Sequence, residues 1–146
     1  MSRNAPRHHP RKRFGQNFLR DESTIEAIVR AIAPDDSDHI VEIGPGEGAL
    51  TDALISAECR LDAIELDRDL RTRLLAAFTA YSGFTLHSAD ALDFDFASLA
   101  TGGTRLRVVG NLPYNISTPL IFKLLEQAAI IKDMHFMLQL EVVERM

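Results

Sequence analysis

Three glycines in five residues, placed after a short apolar strand, constrain this chain more than any other feature. His39 to Ile43 reads as the strand, Gly44-Pro45-Gly46-Glu47-Gly48 as a turn, and Ala49 to Ala57 as a helix that opens on the turn. Glycines let a backbone pass close to a ligand, and a helix N-terminus aimed at the turn favours anions. Strand, turn and helix in that order form the first unit of a parallel α/β sheet. The turn alone leaves the ligand open. Gly44, Gly46 and Ala49 also meet the dinucleotide pattern G-x-G-x-x-A, and such a turn can serve strand–helix packing alone.

The pattern continues along the chain. Asp21 to Ala33 predicts a helix, with Ser23 and Glu26 as a capping box and Ile25, Ile28, Val29 and Ile32 as one apolar stripe. Arg60 to Leu66 reads as a strand, Asp69 to Tyr81 as a helix, and Phe84 to Ser88 as a strand. Residues 95–101 read as a short helix before Gly102-Gly103. Leu106 to Gly110 reads as a strand, Ser117 to Ala128 as a helix with Pro119 in its first turn, and Met134 to Leu140 as a strand. A further helix is expected to begin at Glu141. Strands that alternate with helices predict a doubly wound parallel sheet, whose ligands bind beyond the strand C-termini. The glycine turn, Glu65, Asp90 and Asn111 each follow one of the first four strands.

Composition narrows the class. The single cysteine, Cys59, excludes an intramolecular disulfide and fits a reducing compartment. No apolar run approaches the ~18 residues of a membrane helix. Residues 1–20 hold six cations and no acid, and the 21 acidic residues all follow. That asymmetry predicts a basic arm over residues 1–13, which is either a solvated tail or a contact for a polyanion. Residues 14–146 are expected to form one domain. The chain ends at the opening of a helix, which suggests a piece of a longer protein.

Val108-Val109-Gly110-Asn111-Leu112-Pro113-Tyr114 supplies the chemistry. An adenine amine is a weak nucleophile, because its lone pair is delocalised into the ring. Hydrogen-bond acceptors around its two N–H groups favour the tetrahedral nitrogen that attack on a methyl group requires. The Asn111 side-chain oxygen is one such acceptor. The Leu112 carbonyl is another, since Pro113 restricts Leu112 to extended backbone. Tyr114 offers a face on which a base can stack, worth ~1–3 kcal/mol. Hydride transfer has no use for this quartet. The four residues, with the glycine turn, point to methyl transfer from S-adenosylmethionine onto an adenine. Glu65 would hold a ribose, and Asp90 would accept the amine protons of the cofactor's adenine.

Taken together, Arg13-Phe14-Gly15-Gln16-Asn17-Phe18-Leu19, Glu42-Ile43-Gly44-Pro45-Gly46, Glu65-Leu66-Asp67, Asp90-Ala91 and Asn111-Leu112-Pro113-Tyr114-Asn115-Ile116-Ser117 resemble the ribosomal RNA adenine dimethyltransferases. Gln139, Glu141, Val142, Val143 and Arg145 match that family's next block less closely, with Leu140 where a Lys is commoner. The resemblance is strongest to the bacterial small-subunit enzymes. It implies a Rossmann-like α/β sheet of the class I S-adenosylmethionine-dependent methyltransferases, cut before the last strands and the C-terminal helical domain. It also implies dimethylation of two adjacent adenosines near the 3′ end of 16S rRNA, in the immature small subunit, by a cytoplasmic monomer without metal. Asn17 and Leu19 would close over the cofactor's methionine end, beside Gly44, and Asn111 would bridge cofactor and target. Glu42 would support the turn from behind. Arg11, Lys12 and Arg13 would contact phosphates.

Three rivals remain open at this point: a 23S adenine methyltransferase, an inactive assembly factor that keeps the cofactor pocket, and a nicotinamide oxidoreductase. His8, His9, His39, His87 and His135 lack metal-ligand spacing. Met134, Met137 and Cys59 read as core, and Phe94 and Phe96 as packing rather than base stacking.

Overall fold

The computed structural model describes residues 19–138. The basic arm, Asn17 and the segment from Gln139 onward lie outside the described residues. Five parallel strands form one sheet in the order β3-β2-β1-β4-β5. They are β1 (His39–Ile43), β2 (Arg60–Glu65), β3 (Phe84–Ser88), β4 (Leu106–Asn111) and β5 (Ile131–Met137). The helices are α1 (Glu22–Ile32), α2 (Ala49–Ile55), α3 (Arg68–Phe78) and α4 (Tyr114–Leu125). The strand order reverses between β1 and β4, so the switch-point crevice opens beyond Ile43 and Asn111.

β1 and β4 are buried along nearly their whole length because helices and loops cover both faces. On one face Val41, Ile43, Ile64, Val108, Leu120 and Leu124 pack around the fully buried Phe96. On the other Ile32, Ile40, Leu54, Leu61 and Val109 form a second cluster under α1 and α2. Burying a side chain of this size contributes ~1.5–3 kcal/mol. Gly110 is required at the seam. A Cβ there would stand 2.6 Å from the Ile43 carbonyl oxygen, so only glycine lets β1 and β4 close at the crevice. Gly48 is required for a different reason: its φ is +90°, and a Cβ would meet the Phe78 ring of α3 at 2.7 Å.

The structure departs from local expectation in four places. The capping box at Ser23 and Glu26 is not formed; Asp21 occupies the N-cap and accepts from the Ser23 and Thr24 hydroxyls at 2.9 and 2.6 Å. Residues 95–101 hold only a 3₁₀ turn at Phe96–Ser98, which Asp95 caps through the Ala97 amide. α4 starts at Tyr114 rather than Ser117, so Pro119 falls in its second turn and withholds the N–H that the Asn115 carbonyl would have received. β5 starts at Ile131, with a bulge against Leu106 and Arg107 that admits one extra residue.

Candidate active site

Glu42 and Glu65 build the turn from beneath. The Glu65 carboxylate accepts from the Gly46 amide at 3.2 Å and from the Asp67 amide at 3.0 Å. It therefore pins the glycine turn to the end of β2. The Gly44 amide is tied to the Ile64 carbonyl at 2.9 Å, which completes the clamp. Glu42 accepts from the Thr51 hydroxyl of α2 at 2.6 Å. Burial, together with the Glu65 charge, pushes its carboxyl up to about 7 despite that hydrogen bond. Burial likewise raises Glu65, against the pull of the Asp67 and Gly46 amides.

Two adjoining hollows lie over this floor. The first is lined by Leu19, Glu42, Gly44, Glu65, Asn111 and Pro113, with Pro45, Gly46, Ala49 and Leu50. Arg20 donates to Glu47 at 2.9 Å, which holds the segment carrying Leu19 beside the turn. The second hollow, of about 370 Å³, shares Gly44, Glu65 and Pro113 with the first and adds Asp90, Ala91, Asn115 and Ile116. That volume lies within the range of small-molecule sites, ~300–1,000 Å³. At Gly44, with φ +61°, a Cβ would find nothing within 4 Å, so its outer side faces open space.

Of the expected site residues, Gly44, Glu65, Asp90, Asn111 and Pro113 thus line these adjoining hollows from beyond four strand ends, and Leu19 lines the first from the segment before α1. Leu112 does not line it: the side chain is buried, and its amide donates to the Met137 carbonyl at 3.0 Å. Tyr114 is 46 % exposed in the first turn of α4, between the lining residues Pro113 and Asn115. Arg11, Lys12 and Arg13 fall outside the described residues, as does Asn17. The lining residue Arg68 was not singled out from sequence, and Asn115 and Ile116 stood in the family motif without a site role. Asn115 and Ile116 could have been given one, had the start of α4 been placed at Tyr114. Among the described residues no cluster of His, Cys, Asp and Glu could hold a metal ion, and no helix is long and apolar enough to cross a membrane.

Comparison with known proteins sharpens this. Residues 7–146 match the family described as ribosomal RNA adenine dimethylase. The chain is 61% identical over 139 residues to the ribosomal RNA small subunit methyltransferase A of Pseudomonas aeruginosa, covering 95% of this chain and 52% of that protein. It is 59% identical over 150 residues to the enzyme of the same name from Chromohalobacter salexigens, covering 100% of this chain and 53% of the relative. The chain thus spans about half the length of the curated relatives it matches. Among solved structures, the 23S rRNA methyltransferase ErmE superposes with TM-score 0.71 at 29% identity, over 86% of this chain and 49% of that one. A dimethyladenosine transferase from Plasmodium falciparum gives 0.69 at 28% identity, over 88% and 46%. The sheet is therefore that of the class I methyltransferases. From the match along nearly its whole length and from relatives at this identity, the chain belongs to the ribosomal RNA adenine dimethylase family.

Proposed function

We propose that the chain is the catalytic part of an S-adenosylmethionine-dependent enzyme that dimethylates the N6 amines of two adjacent adenosines near the 3′ end of 16S rRNA. The observation that carries this reading is the convergence of Gly44, Glu65, Asp90 and Asn111, at or just beyond the ends of four different strands, on two adjoining hollows that share Gly44, Glu65 and Pro113. The residues present fit the cofactor. The open side of Gly44 admits an amino acid end, the Glu65 carboxylate keeps lone pairs for ribose hydroxyls, and Asp90 stands beside an apolar floor of Ile43, Ile64 and Ala91. When bound, the cofactor supplies a methyl group made electrophilic by a sulfonium.

The chain's own contribution is placement and desolvation. The Asn111 amide oxygen accepts one N–H of the target amine. Pro113, with φ −60° and ψ 146°, keeps the backbone beyond Leu112 extended, and the Leu112 amide donates to the Met137 carbonyl; the Leu112 carbonyl would accept the other N–H of the amine. Tyr114 carries its ring on the surface, where a base taken out of its stack can lie against it. A strong base is unnecessary, because the alkylated nitrogen becomes acidic. Leu19 and Asn17 close the methionine end, and Arg11, Lys12 and Arg13 hold phosphates.

The names of the small-subunit relatives favour small-subunit ribosomal RNA as the partner; our reading is the 16S rRNA of the immature small subunit, met in the cytoplasm by a monomer. ErmE, named for 23S rRNA, is the more distant match. In the complete protein, Asn111→Ala should lower transfer of tritiated methyl to small-subunit RNA by about 10²-fold or more, while S-adenosylmethionine affinity stays within about threefold. Normal turnover in that variant overturns the reading, and label appearing in 23S rRNA instead overturns the target.

A further inference from the structure

Asp90 sits on a turn that belongs to no strand or helix. The Leu92 amide donates to Asp90 Oδ1 at 3.0 Å, the Asp93 amide to the Asp90 carbonyl at 3.0 Å, and the Phe94 amide to the Ala91 carbonyl at 3.4 Å. This winding gathers the carbonyls of Ala91, Leu92 and Phe94 around one point. Lys123 of α4 occupies it: Nζ donates to them at 3.3, 2.7 and 2.7 Å. An ammonium has three N–H groups, so the three carbonyls use its whole donor capacity. The buried Phe96 ring lies 5.4 Å from the same nitrogen, a cation–π distance. Hydrogen bonds from a charged donor are stronger than neutral ones.

The same helix begins at Tyr114, and its first turn lines the crevice through Asn115 and Ile116. One side chain therefore joins the wall that holds Asp90 to the helix that opens on the target-base platform. We propose that Lys123 is a positioning residue: by clamping three carbonyls of the Asp90 turn, it sets where that carboxylate stands toward the cofactor's adenine amine. This rests on the proposed function and on the expectation from the sequence that Asp90 accepts the amine protons of the cofactor's adenine.

A purely structural lysine would cost stability and leave ligand preference alone. The test is therefore preference, measured by calorimetry on the chain with S-adenosylhomocysteine and with its inosine analogue, in which a carbonyl replaces the adenine amine. Wild type should prefer the adenine compound by about tenfold, one hydrogen bond to a charged acceptor. Lys123→Met should bind the adenine compound about tenfold more weakly and the inosine compound almost unchanged, so that the preference disappears. Lys123→Arg should restore most of it. Tyr81→Phe, which removes a hydrogen bond to the Cys59 carbonyl away from the crevice, should keep the full preference whatever its melting temperature. Full preference in Lys123→Met overturns the proposal, even if that variant melts earlier. Should Lys123→Met not fold, Lys123→Gln must show a reduced preference, and an undiminished one overturns the proposal. A wild type without preference overturns the Asp90 reading, and this inference with it.

Discussion

Toward the starts of its strands the sheet holds Asp38, Asp62 and Asp133; toward the ends it holds Glu42 and Glu65. The first group is matched with bases. Arg107 Nη1 reaches Asp38 at 2.8 Å and Nη2 reaches Asp133 at 2.9 Å, while Nη2 also donates to the Ile32 carbonyl at 2.5 Å. His39 and His87 approach the two oxygens of Asp62 at 2.5 and 2.7 Å. Burial works against ionisation of Asp62 and Asp133, but the hydrogen bonds from His39 and His87 to Asp62 and from Arg107 to Asp133 outweigh it and hold both below the usual carboxylate range. The second group is buried beside acids instead. Glu42 feels Glu65, Glu65 feels Asp67, and both are raised. The contrast separates two uses of a buried acid. The matched set ties α1 and the five strands together: Arg107 joins α1, β4, β5 and the approach to β1, and Asp62 joins β2 to β1 and β3. The unmatched set leaves acceptors and negative potential in the crevice, where hydroxyl donors or a cationic ligand can use them.

The comparison can be broken most forcefully at Arg107. Arg107→Met leaves Asp38 and Asp133 facing each other without their cation and should cost about 3–5 kcal/mol in urea unfolding. A loss below about 1 kcal/mol would mean the matched set does not hold the fold.

Glu42→Gln should act through pH. The folded carboxyl lies at about 7 against an ordinary 4.5, so the folded state binds the extra proton between those values. Its contribution is complete below the lower value and fades as pH rises through the higher one, a difference of about 3 kcal/mol. Glutamine keeps an acceptor for Thr51 and cannot ionise. The fall in stability from pH 5 to pH 8 should shrink accordingly, as read from urea midpoints. An unchanged slope would place Glu42 with the matched acids.

The smallest expected effect is at Glu65. Glu65→Gln should weaken S-adenosylmethionine binding about tenfold and cost about 1 kcal/mol of stability, because its single amide oxygen can accept from only one of the Gly46 and Asp67 amides. Unaltered affinity alongside that loss of stability would reverse its placement.

Much of this was legible in the chain. The alternation of apolar strands with amphipathic helices, the glycines at 44, 46 and 48, and a polar residue after each of four strands are local patterns. They place Gly44, Glu65, Asp90 and Asn111 on one edge once the sheet is parallel. The exact start of α4 was not legible, because Asn111-Leu112-Pro113-Tyr114 has turn chemistry as well as helix chemistry, and only the Leu112–Met137 hydrogen bond and Pro113 at the N-cap decide where the helix begins. Nor was Asp62 legible as the meeting point of two histidines, since strand spacing shows which face a residue takes and not what crosses to meet it.

The sequence by itself determined the order of elements, the layering and the polar positions that follow four of the strands, because these depend on spacing between near neighbours in the chain. Only the tertiary structure decided that Lys123 closes on a turn some 30 residues back and that Arg107 reaches Asp38 and Ile32, 69 and 75 residues away. A charge carries no local mark of its partner. The partner is chosen when packing removes water and an unpaired ion becomes too costly to leave buried.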